Sequence, residues 1–185
     1  VVDPTRRAIS FIDGVGDGEH KYSGIALGPN GQLYCAPHHS NRVLVVDPMR
    51  QAVSFIEGAG DGTGKWAGIA LGPDGRLYCA PFLSAQVLVI DAKQQVLSFI
   101  DGVGGPGGKY WGIALGPDGC LYCAPCRSNQ VLVVDADRQL LRFINGAGDE
   151  MWKYRGIASG ADGRLYCAPL HSSRVLMVDP GRQTL

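Results

Sequence analysis

No stretch of the 185 residues approaches the ~20 consecutive apolar positions that a membrane-spanning helix needs. The chain is therefore expected to be soluble, with no membrane as a partner. It also lacks an excess of either charge, 17 lysines and arginines standing against 17 aspartates and glutamates. Nothing in that balance recommends a nucleic acid, whose phosphates call for a basic face. No segment keeps a helical period for ten residues, because glycine or proline interrupts nearly every stretch. The opening residues VVDPTRRAIS carry neither the charged nor the apolar region of a signal peptide. They start in mid-repeat and without methionine, as a processed or excised piece would.

What the chain does have is repetition. GIALGPDGRLYCAP at 68–81 recurs as GIALGPNGQLYCAP, GIALGPDGCLYCAP and GIASGADGRLYCAP, and a 44-residue period aligns the whole sequence without a gap. The units run 1–44, 45–88, 89–132 and 133–176, with a partial fifth at 177–185. Repeats of this length build solenoids, arrays or propellers. Each unit holds four short segments rich in valine, isoleucine, leucine and tyrosine, written KYSGIALGP, GQLYCAP, RVLVVDP and AISFIDG in the first copies. They read as strands, and Gly-Pro-Asp-Gly between the first two supplies the proline φ and the glycine freedom of a tight turn. The segments VLVV and VLVI are apolar at successive positions, so both faces of each sheet must meet something dry. Radial stacking of sheets about an axis meets that need. The expected class is all-β: one domain over 1–185, a β-propeller of four-stranded antiparallel blades, four to the chain.

Six cysteines in a short chain could mean a disulfide framework. Four of them, Cys35, Cys79, Cys123 and Cys167, hold one equivalent place in the repeat and so lie a repeat apart, beyond disulfide reach. They are expected to be reduced core thiols, which points to a reducing compartment such as the cytoplasm. Cys120, Cys123 and Cys126 spell C-x-x-C-x-x-C, but along one strand odd spacings face opposite ways and the even pair is ~20 Å apart. No metal site and no cofactor are expected. The glycine-rich stretches at 13–18 and 101–108 open no helix and carry no Gly-Lys-Ser/Thr ending, which leaves them short of a phosphate loop.

The string G-I-A-L-G-P-D-G-x-L-Y-C-A-P-x-x-S-x-x-V-L-V-V-D is similar to the NHL repeat and its relatives, the regucalcin and gluconolactonase group and the streptogramin lyases. It covers all four units, and the matching residues are those that build a blade. The Gly-His and Trp-Asp pairs of the tryptophan-aspartate repeat are absent, as is the kelch diglycine. Regucalcin-like lactonases, on this resemblance, need acidic metal ligands in the channel, and the inner strands here carry none. Streptogramin lyases imply loop histidine and glutamate for base-catalysed elimination, which makes His39, His171 and Glu19 the candidate catalytic residues, with Glu150 as another companion.

Closure is open at this level. The last unit lacks its outer strand and the N-terminal segment around 8–13 is a spare one. Pairing them within one chain gives a four-bladed ring; exchanging them between two chains gives an eight-bladed homodimer. The tails 177–185 and 1–9 duplicate each other, so one is expected to be displaced. A third possibility is a structural fragment of a longer propeller.

Ligands commonly sit where the loops entering the innermost strand and the loops leaving the second strand share a face, here 14–22 and 37–41 and their equivalents. Substitutions between units concentrate there: His38, Phe82, Cys126 and Leu170 are equivalent, as are Ser23, Ala67, Trp111 and Arg155. Drift on loops gives the same pattern. Every unit also keeps a lysine before an aromatic, as Lys21-Tyr22, Lys65-Trp66, Lys109-Tyr110 and Lys153-Tyr154. These residues, with Trp111, Arg155, His38, His39 and His171, form the candidate ligand set. The pairs can be read as a collar binding an anion or carbohydrate, or as stems and rings packed over the blade tops. Two lysine charges ~10 Å apart in water cost about 0.4 kcal/mol, so no counterion is demanded. Near-identity of the units favours a scaffold that binds a small molecule, carbohydrate or protein over an enzyme, since catalysis needs unlike residues converging at one point.

Overall fold

The computed structural model describes residues 1–185 apart from Arg6 and Pro106. Among the described residues every regular element is a strand, and no helix is long and apolar enough to cross a membrane. Strands β1 (Val2–Asp3) and β2 (Ala8–Ile9) form a hairpin of their own. Blade I follows with β3 (Tyr22–Leu27), β4 (Leu33–Pro37), β5 (Arg42–Asp47) and β6 (Ala52–Glu57). Blade II holds β7 (Trp66–Leu71), β8 (Leu77–Pro81), β9 (Val87–Asp91) and β10 (Val96–Ile100). Blade III holds β11 (Tyr110–Leu115), β12 (Cys120–Pro125), β13 (Gln130–Asp135) and β14 (Leu140–Asn145). Blade IV has β15 (Tyr154–Ser159), β16 (Leu165–Pro169) and β17 (Leu176–Val178), a sheet of three strands where the others have four. All neighbours pair antiparallel in chain order.

The turn within each blade shows why the repeated residues are there. Gly72 lies against the ring of Tyr78, where a Cβ would come within 2.7 Å of Cε2, and the Tyr78 hydroxyl donates to Asp74 of the same turn at 2.8 Å. The same clasp recurs at Gly116, Tyr122 and Asp118 and at Gly160, Tyr166 and Asp162. In blade I, Asn30 replaces the acid and donates its amide to Tyr34 at 2.9 Å.

Both faces of the third strands are dry, as the unbroken apolar runs require. Leu88 and Ile90 of β9 join a core with blade I, while Val87 and Val89 of the same strand join a core with blade III. Strand β13 divides likewise, Leu132 and Val134 toward blade II and Val131 and Val133 toward blade IV. At ~25 cal/mol per Å² of apolar surface removed from water, these shared cores hold the stack together.

Three contacts recur at each seam. Innermost strands approach backbone to backbone: a Cβ on Gly24 would fall 2.9 Å from the Ala67 carbonyl oxygen, on Gly68 2.7 Å from that of Trp111, and on Gly112 2.7 Å from that of Arg155. A lysine N–H donates to the preceding blade, Lys65 to His38 O, Lys109 to Phe82 O and Lys153 to Cys126 O. Finally, a glutamine amide reaches back to a tyrosine hydroxyl, Gln95 to Tyr34 at 2.8 Å, Gln139 to Tyr78 at 2.7 Å and Gln183 to Tyr122 at 2.8 Å.

The stack is an arc, not a closed ring. Strand β3 packs on β7, β7 on β11 and β11 on β15, and no comparable packing joins β3 to β15. Within one chain, then, the two end blades are not packed on each other as the internal seams are. The proposed sealing strand, 8–13, is ordered as strand only at Ala8–Ile9 and pairs with β1 alone. Ser10 still exchanges hydrogen bonds with Val1 at the open end of that hairpin, and residues 11–13, away from a neighbouring sheet, belong to no strand. The duplicated tail makes its own turn, bridging Asp179 and Thr184.

Candidate functional site

The lysine collar is not what the loops build. Lys109 donates to Gly105 O at 2.7 Å, Lys153 to Glu150 O at 2.9 Å, Lys65 to Gly62 O at 3.0 Å and Ser40 O at 2.8 Å, and Lys21 to Gly16 O. Each ammonium closes its own glycine-rich loop. Lys65 and Lys153 are buried, and that burial holds the amines of Lys65, Lys109 and Lys153 below the usual lysine range. The aromatic partners are also structural. Tyr110 and Tyr154 are buried and share hydroxyl hydrogen bonds of 3.0 Å with Ser128 and Ser172; Tyr22 does the same with Ser40 at 3.1 Å. The buried Trp66 donates its indole N–H to Gln86 O. Burial pushes the Tyr110 phenol up to about 12.

Along the same rim a different group converges. Phe82, at the exit of β8, meets Trp111 of β11 edge to face at 5.0 Å and Trp152 at 5.9 Å. Gly108 makes this possible, because a Cβ there would sit 2.5 Å from the Phe82 ring. His38 lies at 5.8 Å from Phe82 and 6.0 Å from Trp111, stacked on His39 at 5.0 Å, which in turn is 5.5 Å from His20. At the other end the Arg155 guanidinium rests 4.4 Å from the centre of the Trp111 ring, and that of Arg127 rests 4.1 Å from Trp152. The result is a ledge of rings with cations laid over its blade III and IV end.

Two properties of the ledge bear on chemistry. Among the described residues neither Arg127 nor Arg155 has an acidic partner or a side-chain hydrogen bond, and the Arg127 Nε is buried with no acceptor. The other described arginines of the blades, Arg42, Arg50, Arg76, Arg138 and Arg164, are paired with acids apart from Arg142 and Arg174. At the opposite end, the His38 Nδ1 stands 2.8 Å from the Trp66 carbonyl oxygen, so that nitrogen carries the proton and donates. Desolvation, then the cationic forms of His39, His20 and Lys65, keeps the His38 pKa below its ordinary value.

The structure thus gathers His38, His39, Trp111 and Arg155 from the expected set. It leaves the four lysines and their aromatic neighbours in the framework. Glu19 and His39 both line a recess of about 470 Å³ between blades I and II, whereas His171 sits on blade IV with no ring contact to His39. Phe82, Arg127 and Trp152 complete the ledge without having been singled out as binding residues. The available signal was substitution between units: Trp152 stands where the other units have His20, Gly64 and Gly108, and Arg127 where they have His39, Leu83 and His171.

The cysteines are all free and buried. Cys120, Cys123 and Cys126 belong to three separate cores, as a strand that alternates its faces dictates. Burial pushes Cys35 up to about 11 and Cys167 up to about 12.

No protein-family model and no curated protein sequence matches this chain. Its fold has solved counterparts. Selenomethionine-substituted virginiamycin B lyase from Staphylococcus aureus superposes with a TM-score of 0.75 at 13% identity, over 89% of this chain and 54% of that one. Hydrazine synthase from Kuenenia stuttgartiensis gives 0.69 at 23% identity, over 95% and 51%. An auxiliary nutrient binding protein from Bacteroides thetaiotaomicron gives 0.65 at 15% identity, over 88% and 39%. The chain therefore spans about half the length of the first two. Blades of antiparallel strands stacked as in the streptogramin lyases make this chain a β-propeller in fold.

Proposed function

We propose that the chain is a non-catalytic binding module whose rim ledge takes a small molecule with a flat apolar body and a carboxylate or similar anionic group. One observation carries the reading: Arg127 and Arg155, with no acid among the described residues to neutralise them, rest over Trp152 and Trp111. A guanidinium held on a ring keeps its edge donors free for a bidentate anion. A charge-assisted hydrogen bond contributes about 1.5–3 kcal/mol and a ring stack about 0.5–1.5 kcal/mol, enough together for a weak to moderate complex.

Naphthoate and its uncharged counterpart naphthamide test this directly, with tryptophan fluorescence as the readout. Naphthoate is expected to bind at least tenfold more tightly than naphthamide, and the Arg127→Ala/Arg155→Ala double variant to erase that preference. Equal affinity for the two probes in the unaltered protein would remove the reading.

A second reading rests on the recess that Glu19 and His39 share. A base and a carboxylate lining one recess suit proton abstraction followed by elimination. Turnover of virginiamycin B that disappears in His39→Ala would favour it over simple binding.

A further inference from the structure

We infer that the arc is completed by a second copy of the chain, docked head to tail at both ends so that two chains close one eight-bladed ring. The two free ends leave complementary contacts unmade. At the three internal seams a glutamine donates to a tyrosine 61 positions earlier. Continuing the series, Tyr166 of blade IV lacks its glutamine, and Gln51 of blade I lacks its tyrosine. Among the described residues Tyr166 bonds only within its own turn and the Gln51 side chain has no hydrogen bond, although the Gln51 backbone holds a left-handed φ of 50°, close to the 54–56° of the bridging glutamines.

The apolar surfaces are left over in the same complementary way. Ile25 is 57% exposed where its equivalents Ile69 and Ile113 are 8% exposed. On the far side Gly156 would meet only Ala168 of its own blade, while the other three seam glycines touch the next strand. The head of the arc offers what blade IV is missing, and no part of the same chain is placed to supply it.

The edge of blade IV agrees. A groove of about 320 Å³ runs along β17 and is lined by Tyr154, Arg174, Val175 and Met177. Val175 is 59% exposed, whereas Val43, Val87 and Val131 at the equivalent place are fully buried. The register of β5 with β6 pairs Arg42 with Glu57 and Val43 with Ile56. Moved forward by three repeats, it pairs Arg174 with Asp13 and Val175 with Ile12. Residues 11–13, just past the Ser10–Val1 hydrogen bonds, belong to no strand here, with Phe11 88% exposed. A second copy can lay this segment along β17 as the missing fourth strand and offset the cost of an open sheet edge.

Four measurements decide the matter. Sedimentation equilibrium of the whole chain at about 50 μM is expected to give twice the 19.6 kDa monomer mass. A monomer overturns the inference, and so does a larger or open-ended series. Ile25→Asp places a charge on a residue that the single chain exposes; it is expected to yield a monomer with an unchanged circular dichroism spectrum, and a surviving dimer would count against this seam. For the edge, Ile12→Cys with Val175→Cys should oxidise to a link between chains on a non-reducing gel. A link within one chain instead would mean that the four blades close on themselves. Gln51→Ala alone should weaken association about threefold to tenfold, matching one lost hydrogen bond.

Discussion

Blades II and III and blades I and IV are built from nearly the same 44 residues, yet they live in different surroundings. Val87 to Ile90 and Val131 to Val134 are buried at every position, and residues Leu77 to Pro81 likewise. In blade IV the equivalent Ala168 and Pro169 are exposed, and in blade I so are Ile25 and Leu27. Identical sequence with unequal burial means that burial here is a property of the junction, not of the unit. Each seam is made by glycines, lysine N–H groups and glutamines that reach one blade and no further.

The sharpest way to break this contrast is at the seam glycines. Gly112→Ala drives a methyl group to 2.7 Å from the Arg155 carbonyl oxygen, and backbone on both sides must move, so a loss of about 3 kcal/mol or more is expected. Gly156→Ala, with open space beyond Ala168, should stay within about 0.5 kcal/mol. Urea melts of the two variants at dilute concentration give the comparison.

A smaller difference is expected in the innermost strands. Ile113→Ala should cost about 2–4 kcal/mol and Ile25→Ala less than about 1 kcal/mol under conditions that keep the chain monomeric. Gln139→Ala then isolates the polar bridge. It should cost about 1 kcal/mol in the same melts, against no measurable change for Gln51→Ala in the monomer.

Chemical access adds a kinetic version of the same test. With all six thiols buried and Cys35 and Cys167 held at about 11 and about 12, alkylation of the native protein at pH 8 should be far slower than in urea. Cys35, the least enclosed of the repeat cysteines, is expected to react ahead of Cys79 and Cys123 when sites are mapped by mass spectrometry.

The smallest expected effect is on pH dependence. Because burial lowers the His38 pKa in the folded protein, the unfolded chain takes up a proton first as the medium is acidified. Its contribution is in place above the ordinary histidine value of 6.5 and diminishes as the pH falls through the window below it. The stability profile should flatten there in His38→Gln.

The fold was legible because its determinants are local and repeated four times over: proline and glycine at the turns, alternating strands, and valine runs with no polar face. The site was less so. The Lys-aromatic pairs are the most regular polar feature of the sequence, and regularity turned out to belong to the framework, each lysine closing a loop and each ring filling a blade. The proposed binding ledge is made of the irregular residues. His38, Trp111 and Arg155 were visible as substitutions, but that Arg127 would lie over Trp152, or Phe82 over Gly108, depends on contacts between blades that no single unit encodes. Residues 11–13 show the converse limit. Their sequence matches a strand, and pairing is what a strand consists of.

The glutamine-to-tyrosine bridge has a consequence for how such a chain can change. Since every link joins one unit to the next and to no other, an additional 44-residue module spliced between the second and third would find its donors and acceptors already waiting on both sides. What would alter is the geometry of the rim: His38 and Phe82 would be carried away from Trp111, Trp152 and the arginines by one module's width. Copy number is therefore a dial that resets the recognition surface while leaving the bonding of the framework untouched.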